Sequence, residues 1–99
     1  MLYAIFARDV PNSMTLRPAV RPRHLAYLQP LVDAGRVVFA GPHPAIDSPD
    51  PGPAGYTGSL IVAEFDSMEA AEAWCANDPY KVEGVFESVV IKPVVQVAP

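Results

Sequence analysis

Leu2-Tyr3-Ala4-Ile5-Phe6-Ala7 opens the chain as an apolar run that Arg8 and Asp9 end abruptly. Its short length and its aromatic and branched members predict a strand. Arg8 to Thr15 holds Pro11, Asn12 and Ser13 and reads as a turn region. From Ala19 to Ala34 the spacing changes: Leu25, Leu28 and Val32 recur at helical intervals and Leu31 widens the stripe. Gly35 supplies the stop, and Pro18 or Pro22 suits a first turn, where no amide partner is lost. Pro30 cannot donate to the carbonyl of Ala26, so a kink is expected there.

A second strand is predicted over Arg36 to Ala40. Gly41 to Gly58 then reads as a long loop stiffened by Pro42, Pro44, Pro49, Pro51 and Pro53. Ser59 to Phe65 is a third strand. Asp66 fits a helix N-cap, with Glu69 three residues on, and Ala70, Ala71, Trp74 and Cys75 then point inward. Asn77-Asp78-Pro79 ends that helix, because the residue before a proline avoids helical geometry. Val85 to Val97 is the last strand, and Pro93 predicts an edge position or a bulge within it. The order β-α-β-β-α-β predicts an α+β, ferredoxin-like domain over residues 1–99. Two helices would cover one face of an antiparallel four-stranded sheet.

The face left open should then alternate with polar residues. It does not: Leu2, Ala4 and Phe6 oppose Tyr3, Ile5 and Ala7, and Ile61, Ala63 and Phe65 oppose Leu60 and Val62. The last strand sets Val85, Val89 and Ile91 against Phe86, Val90 and Val94. Hydrophobic residues make up 51% of the chain and charged ones only 18%, much apolar surface for 99 residues. A homodimer through the open sheet face is the expected cover.

A net charge of −4 without a basic run argues against nucleic acid as a partner. Arg17, Arg21 and Arg23 form the one basic cluster, read as a solvated face or as a group that steers an anion. The single Cys75 excludes an internal disulfide framework and is expected to be inert packing. No apolar stretch approaches the ~18 residues of a membrane span, and the start lacks a signal pattern, so a cytoplasmic protein with no membrane partner is expected.

The fold order gathers scattered residues at one end: the start of the first helix, the end of the second, the end of the first strand, the Gly41-Pro42 turn and Thr57-Gly58-Ser59. His24 shares the inward edge of its helix with Leu28 and Leu31, whereas Asp33 lies about half a revolution away. Asp78 is therefore the candidate partner of His24. A carboxylate beside an imidazole orients the ring and fixes its tautomer, which makes a proton-transfer unit; a structural hydrogen bond is the alternative. Around this pair, Arg8, Gly41, Pro42, Ser59 and Tyr80 are candidate substrate-binding residues, and backbone amides near Gly41 or Gly58 could steady negative charge. His43 is expected in an exposed loop, Asp47 and Asp50 in solvated turns, and Trp74 in the core or an interface. Two histidines without a tight cluster give no metal site, and without phosphate loops, nucleophile elbows or dinucleotide fingerprints no cofactor is expected.

These pieces resemble the YciI-like (YCII-related) family of the dimeric α+β barrel superfamily. The resemblance rests on Tyr3-Ala4-Ile5-Phe6-Ala7-Arg8-Asp9, Arg21 with His24-Leu25, Gly41-Pro42 and Gly55-Tyr56-Thr57-Gly58-Ser59. Asp78-Pro79-Tyr80, Gly84-Val85 and Ile91-Lys92-Pro93 complete it, in order along nearly the whole chain. The resemblance implies a dimeric ferredoxin-like fold similar to muconolactone isomerases, with a pocket centred on a histidine and an aspartate, here His24 and Asp78. A related dehydrochlorinase acting on a chlorinated hydroxyquinol implies ring-substrate chemistry. Prolines 18, 22 and 30 depart from simpler relatives and bear on the exact placement of His24. Three readings stay open: a small-molecule enzyme of elimination or isomerisation type, a ligand-binding or accessory module, and a purely structural assembly unit.

Overall fold

The computed structural model describes all residues, Met1–Pro99. Strand β1 spans Leu2–Asp9, helix α1 Arg17–Asp33, β2 Val37–Pro44, β3 Tyr56–Glu64, α2 Met68–Ala76, α3 Pro79–Val82 and β4 Phe86–Val94. The strands form one antiparallel sheet in the order β2-β3-β1-β4. This is the ferredoxin-like α+β order, with a one-turn helix, α3, added after α2.

Alternation along the strands sends Tyr3, Ile5 and Ala7 of β1 and Ser59, Ile61 and Ala63 of β3 to the helix side, all of them buried. Tyr3, Ile5, Ile61 and Ala63 join Leu31 of α1, Ala71 and Cys75 of α2, and Phe65 in the main core. Ala7, Val20, Tyr80, Val85 and Phe86 make a second cluster toward α3. Trp74 packs in the core region, stacked on Tyr27 at 4.9 Å and tilted against Phe65 at 5.7 Å.

Several boundaries differ from the sequence reading, each for a physical reason. β2 does not stop at Ala40; it continues through Gly41-Pro42-His43-Pro44, pairing Pro42 with Ser59 and His43 with Gly58. An edge strand tolerates prolines because one row of its backbone groups needs no partner. His43 is exposed, as expected, but in a strand. β3 correspondingly starts at Tyr56, and the loop shortens to 45–55. Pro93 sits in β4, the other edge strand. The α2 cap is Ser67, whose Oγ accepts from the Ala70 amide at 3.1 Å; it displaces Asp66 by one position.

The stripe that α1 buries is Arg17, Val20, His24, Leu28 and Leu31. Leu25 and Val32, expected inside, are 41% and 45% exposed. The buried face carries an arginine and a histidine that find partners inside, so hydrophobicity alone misplaces it. Pro18 takes the first turn, and α1 continues through Pro22 and Pro30. Both prolines are exposed, as are Pro18 and Ala26, whose carbonyls lose their amide donors and turn to solvent.

The other sheet face has no cover within the chain. Phe6 pairs across with Leu60 and Val90, and Phe39 with Val62. Phe6, Phe39 and Val90 remain 44%, 53% and 50% exposed.

Candidate functional site

Asp78 and His24 come from opposite ends of the fold's logic. Asp78 is held extended by the following proline (φ −61°, ψ 129°) and caps α3, its Oδ1 accepting from the Tyr80 amide at 2.9 Å. His24 projects from the buried face of α1, and its Nδ1 lies 2.8 Å from the same Oδ1. Both residues are buried, at 7% and 2% exposure. A carboxylate can only accept, so Nδ1 carries the hydrogen, and in the neutral ring Nε2 keeps a free lone pair. The imidazole stacks on Tyr80 at 4.0 Å and 15°. Burial pushes the Tyr80 hydroxyl's pKa up, with Arg17 and Arg21 pulling it down and Asp78 and Asp9 adding to the rise. The net effect keeps Tyr80 a protonated donor.

Two turns earlier on α1, Arg17 is buried as well. Its Nε donates to Asp9 Oδ2 at 2.9 Å, and one terminal nitrogen donates to the Gly58 carbonyl at 3.1 Å and to Ser59 Oγ at 2.5 Å. Ser13 Oγ donates to the same Asp9 oxygen at 2.7 Å, while Asp9 Oδ1 is buried without a partner. The Arg17 guanidinium also lies 4.7 Å from the Tyr80 ring centre. Gly58 is required here: a Cβ would fall 2.1 Å from the Ala7 carbonyl oxygen. Side-chain bulk at that position would push β3 off β1 and displace Ser59.

A cavity of about 270 Å³ opens between α1 and the ends of β2 and β3. His24, Gly41, Pro42, Ser59 and Tyr80 all line it, so five residues singled out from the sequence share one space. Asp78 stands behind His24 and does not reach the cavity wall. Arg8 does not join them. Strand alternation turns it to the open face with Phe6, where it pairs with Glu87 at 3.2 Å and is largely exposed. Gly58 is committed to the sheet and to Arg17, and is not part of the wall.

Arg17, Arg21 and Tyr56 also line the cavity, where the sequence reading did not place them, although it offered anion steering as one role for the two arginines. The first was grouped with Arg21 and Arg23 as a solvated face or anion-steering cluster. A charged residue in the first turn of a helix gives no sign of burial; only the fold brings Asp9 beside it. Cys75 is a buried free thiol, its pKa pushed up to about 12 by burial first and by the Asp78 charge second. No group of three His, Cys, Asp or Glu side chains comes together as metal ligands would. No helix is long and apolar enough to cross a membrane.

A profile of the YCII-related domain matches residues 1–95. Protein YciI of Escherichia coli is 57% identical over 93 residues, covering 94% of this chain and 95% of its own length. An uncharacterised Haemophilus influenzae protein is 48% identical over the same shares. Among solved structures, the 5-chloro-2-hydroxyhydroquinone dehydrochlorinase of Burkholderia phenoliruptrix, in complex with 2,5-dihydroxybenzoquinone, superposes with a TM-score of 0.84. It is 27% identical, over 96% of this chain and 94% of that one.

Proposed function

The chain belongs to the YCII-related family, and on that premise we propose that its cavity is the active site of a lyase- or isomerase-type enzyme that moves a proton on a small, oxygenated, ring-bearing substrate. The observation that carries this reading is the 2.8 Å contact between two buried groups, His24 Nδ1 and Asp78 Oδ1, with the imidazole facing the cavity. His24 Nε2 takes a proton from substrate carbon or oxygen as general base, and Asp78 holds the ring in the tautomer that makes this possible. In an elimination, the electron pair released from the C–H bond expels a leaving group from the neighbouring atom. In an isomerisation, the imidazolium returns the same proton at another position. Ser59, whose oxygen already accepts from Arg17, has its hydrogen to offer, and Tyr80 is a second donor.

Two further observations support the substrate class. The cavity is near the lower end of the ~300–1,000 Å³ typical of small-molecule sites. The dehydrochlorinase with the same fold acts on a hydroxylated ring. A panel of lactones and halogenated hydroxyquinols tests the reading. The wild-type chain should turn over at least one member, and His24→Gln should reduce that rate by about 10²–10⁴-fold. Full activity in His24→Gln would remove His24 as the base.

The working unit in this proposal is a cytoplasmic homodimer. Each half-exposed Phe or Val on the open sheet face forgoes roughly half of the about 1.5–3 kcal/mol that full burial is worth, and a second copy presenting the same face recovers it for both partners. Sedimentation at micromolar concentration should give twice the 10.6 kDa chain mass. Phe6→Glu should return the chain to a monomer, and a wild-type monomer would end the dimer proposal.

A further inference from the structure

The cavity has an uneven charge balance. None of its lining residues is an Asp or Glu, yet Arg17, Arg21 and His24 all reach it. Arg17 is neutralised by Asp9 at 2.9 Å. His24 is held by Asp78 at 2.8 Å, a pair that is neutral once His24 has gained a proton and carries the Asp78 charge before that. Arg8 and Arg23 pair with Glu87 and Glu83 on the surface, and Arg36 donates to the Glu64 carbonyl. Arg21 is the one arginine with no acceptor in the chain. It lies one turn after Arg17 and one turn before His24 on α1, so helical geometry sets it on their side. Its charge is felt at Tyr80, where it opposes the rise in the hydroxyl's pKa. The rest of the lining is largely apolar, with Leu28 further along α1 and Ile61 across from it on β3.

We propose that Arg21 anchors an anionic oxygen of the ligand, and that the cavity therefore selects a small monoanion, a carboxylate or an ionised enol or phenol, over its neutral isostere. This rests on the reading of the cavity as a ligand site and deepens it. Arg21 and an anionic oxygen make the bidentate, charge-assisted contact that guanidinium geometry favours. The apolar wall takes the rest of the molecule. Because the Arg17 charge is already balanced by Asp9, Arg21 is the one uncompensated arginine in the lining, and the site accepts one negative charge.

The test is binding, independent of turnover. The full chain is titrated with benzoate and with benzamide, which share ring and size but differ in charge, and the His24 ring resonances report occupancy. Benzoate should bind at least ~10-fold more tightly, about 1.4 kcal/mol, and shift the His24 signals. Arg21→Gln should make the two probes equal, while Arg21→Lys should retain a preference. Because Arg21 is exposed at the mouth, neither variant threatens the fold. Equal binding of the two probes by the wild type, a preference that survives Arg21→Gln, or benzoate that leaves His24 unmoved up to about 10 mM, well above the ~1 mM dissociation constant of a weak specific site, would each overturn the proposal. His24→Gln separates the two readings, with ligand-induced shifts of the Arg21 side chain replacing the lost His24 reporter. If it abolishes turnover while the benzoate preference is absent from wild type, the anchor is wrong and the base stands. If the preference persists in His24→Gln but turnover does too, the anchor stands and the base is wrong.

Discussion

Two buried acid–base pairs flank the same cavity, at almost the same distance, and they do different things. Asp9–Arg17 closes at 2.9 Å and Asp78–His24 at 2.8 Å, and in both a carboxylate behind the wall holds a basic group from α1. The guanidinium of Arg17 donates from Nε and one terminal nitrogen to Asp9, Gly58 and Ser59, and an arginine keeps its proton at any ordinary pH. The imidazole of His24 spends one nitrogen on Asp78 and keeps the other. The difference teaches that burial and pairing do not by themselves mark a reactive group. What marks it is a proton that can move and a face open to the ligand.

The largest effect should come from breaking the permanently charged pair. Arg17→Met leaves the Asp9 carboxylate buried without compensation, on a residue whose second oxygen already has no partner. We expect a loss of about 3–5 kcal/mol in urea unfolding, and a loss of under ~1 kcal/mol would mean that Asp9 escapes to solvent. The titratable pair should respond the other way round. His24→Gln keeps a hydrogen-bonding side chain toward Asp78, so stability should fall by no more than about 1–2 kcal/mol even where turnover collapses. If both variants unfolded the chain equally, the distinction between the pairs would fail.

Tyr80→Phe is a smaller perturbation. The ring keeps its stacking with His24 and its edge contact with Phe86 at 5.4 Å, and only the donor is lost. Ligand affinity should weaken by about 0.5–1.5 kcal/mol in calorimetric titration, with stability nearly unchanged. The smallest effect reads the charge on Asp78 from behind. The Cys75 thiol is raised from 9.0 to about 12, mainly by burial and secondarily by Asp78. The folded state therefore holds this proton more tightly than the unfolded one. This contribution to stability is complete below pH 9 and should decline as the pH rises toward about 12. Asp78→Asn should move the onset of Cys75 alkylation to lower pH, and an unchanged onset would show that the carboxylate charge does not reach the thiol.

Much of this was legible along the chain, because strands and helices announce themselves locally. The run Leu2–Ala7, the alternation of Ile61 and Ala63 against Leu60 and Val62, and the Asn77-Asp78-Pro79 break each depend on neighbours a few positions away. Asp78 as partner to His24 was also within reach, since the element order puts the two at one end and Asp33 on another side of α1. The extension of β2 through two prolines was not, because a proline is tolerated only once the strand is known to be at an edge. Nor was the burial of Arg17, whose partner Asp9 lies in a different element.

The amino-acid order alone thus determined the principal strands and helices and their succession, set by side-chain periodicity and backbone restrictions that act over short distances, and through that succession it singled out His24 and Asp78 as candidate partners. Only the tertiary structure decided which charges are neutralised and which are free: Arg17 inside, Arg8 turned to the other face, Arg21 unpaired at the cavity mouth. Neutralisation depends on distances of a few ångströms between segments far apart in the chain, and no local pattern encodes those distances.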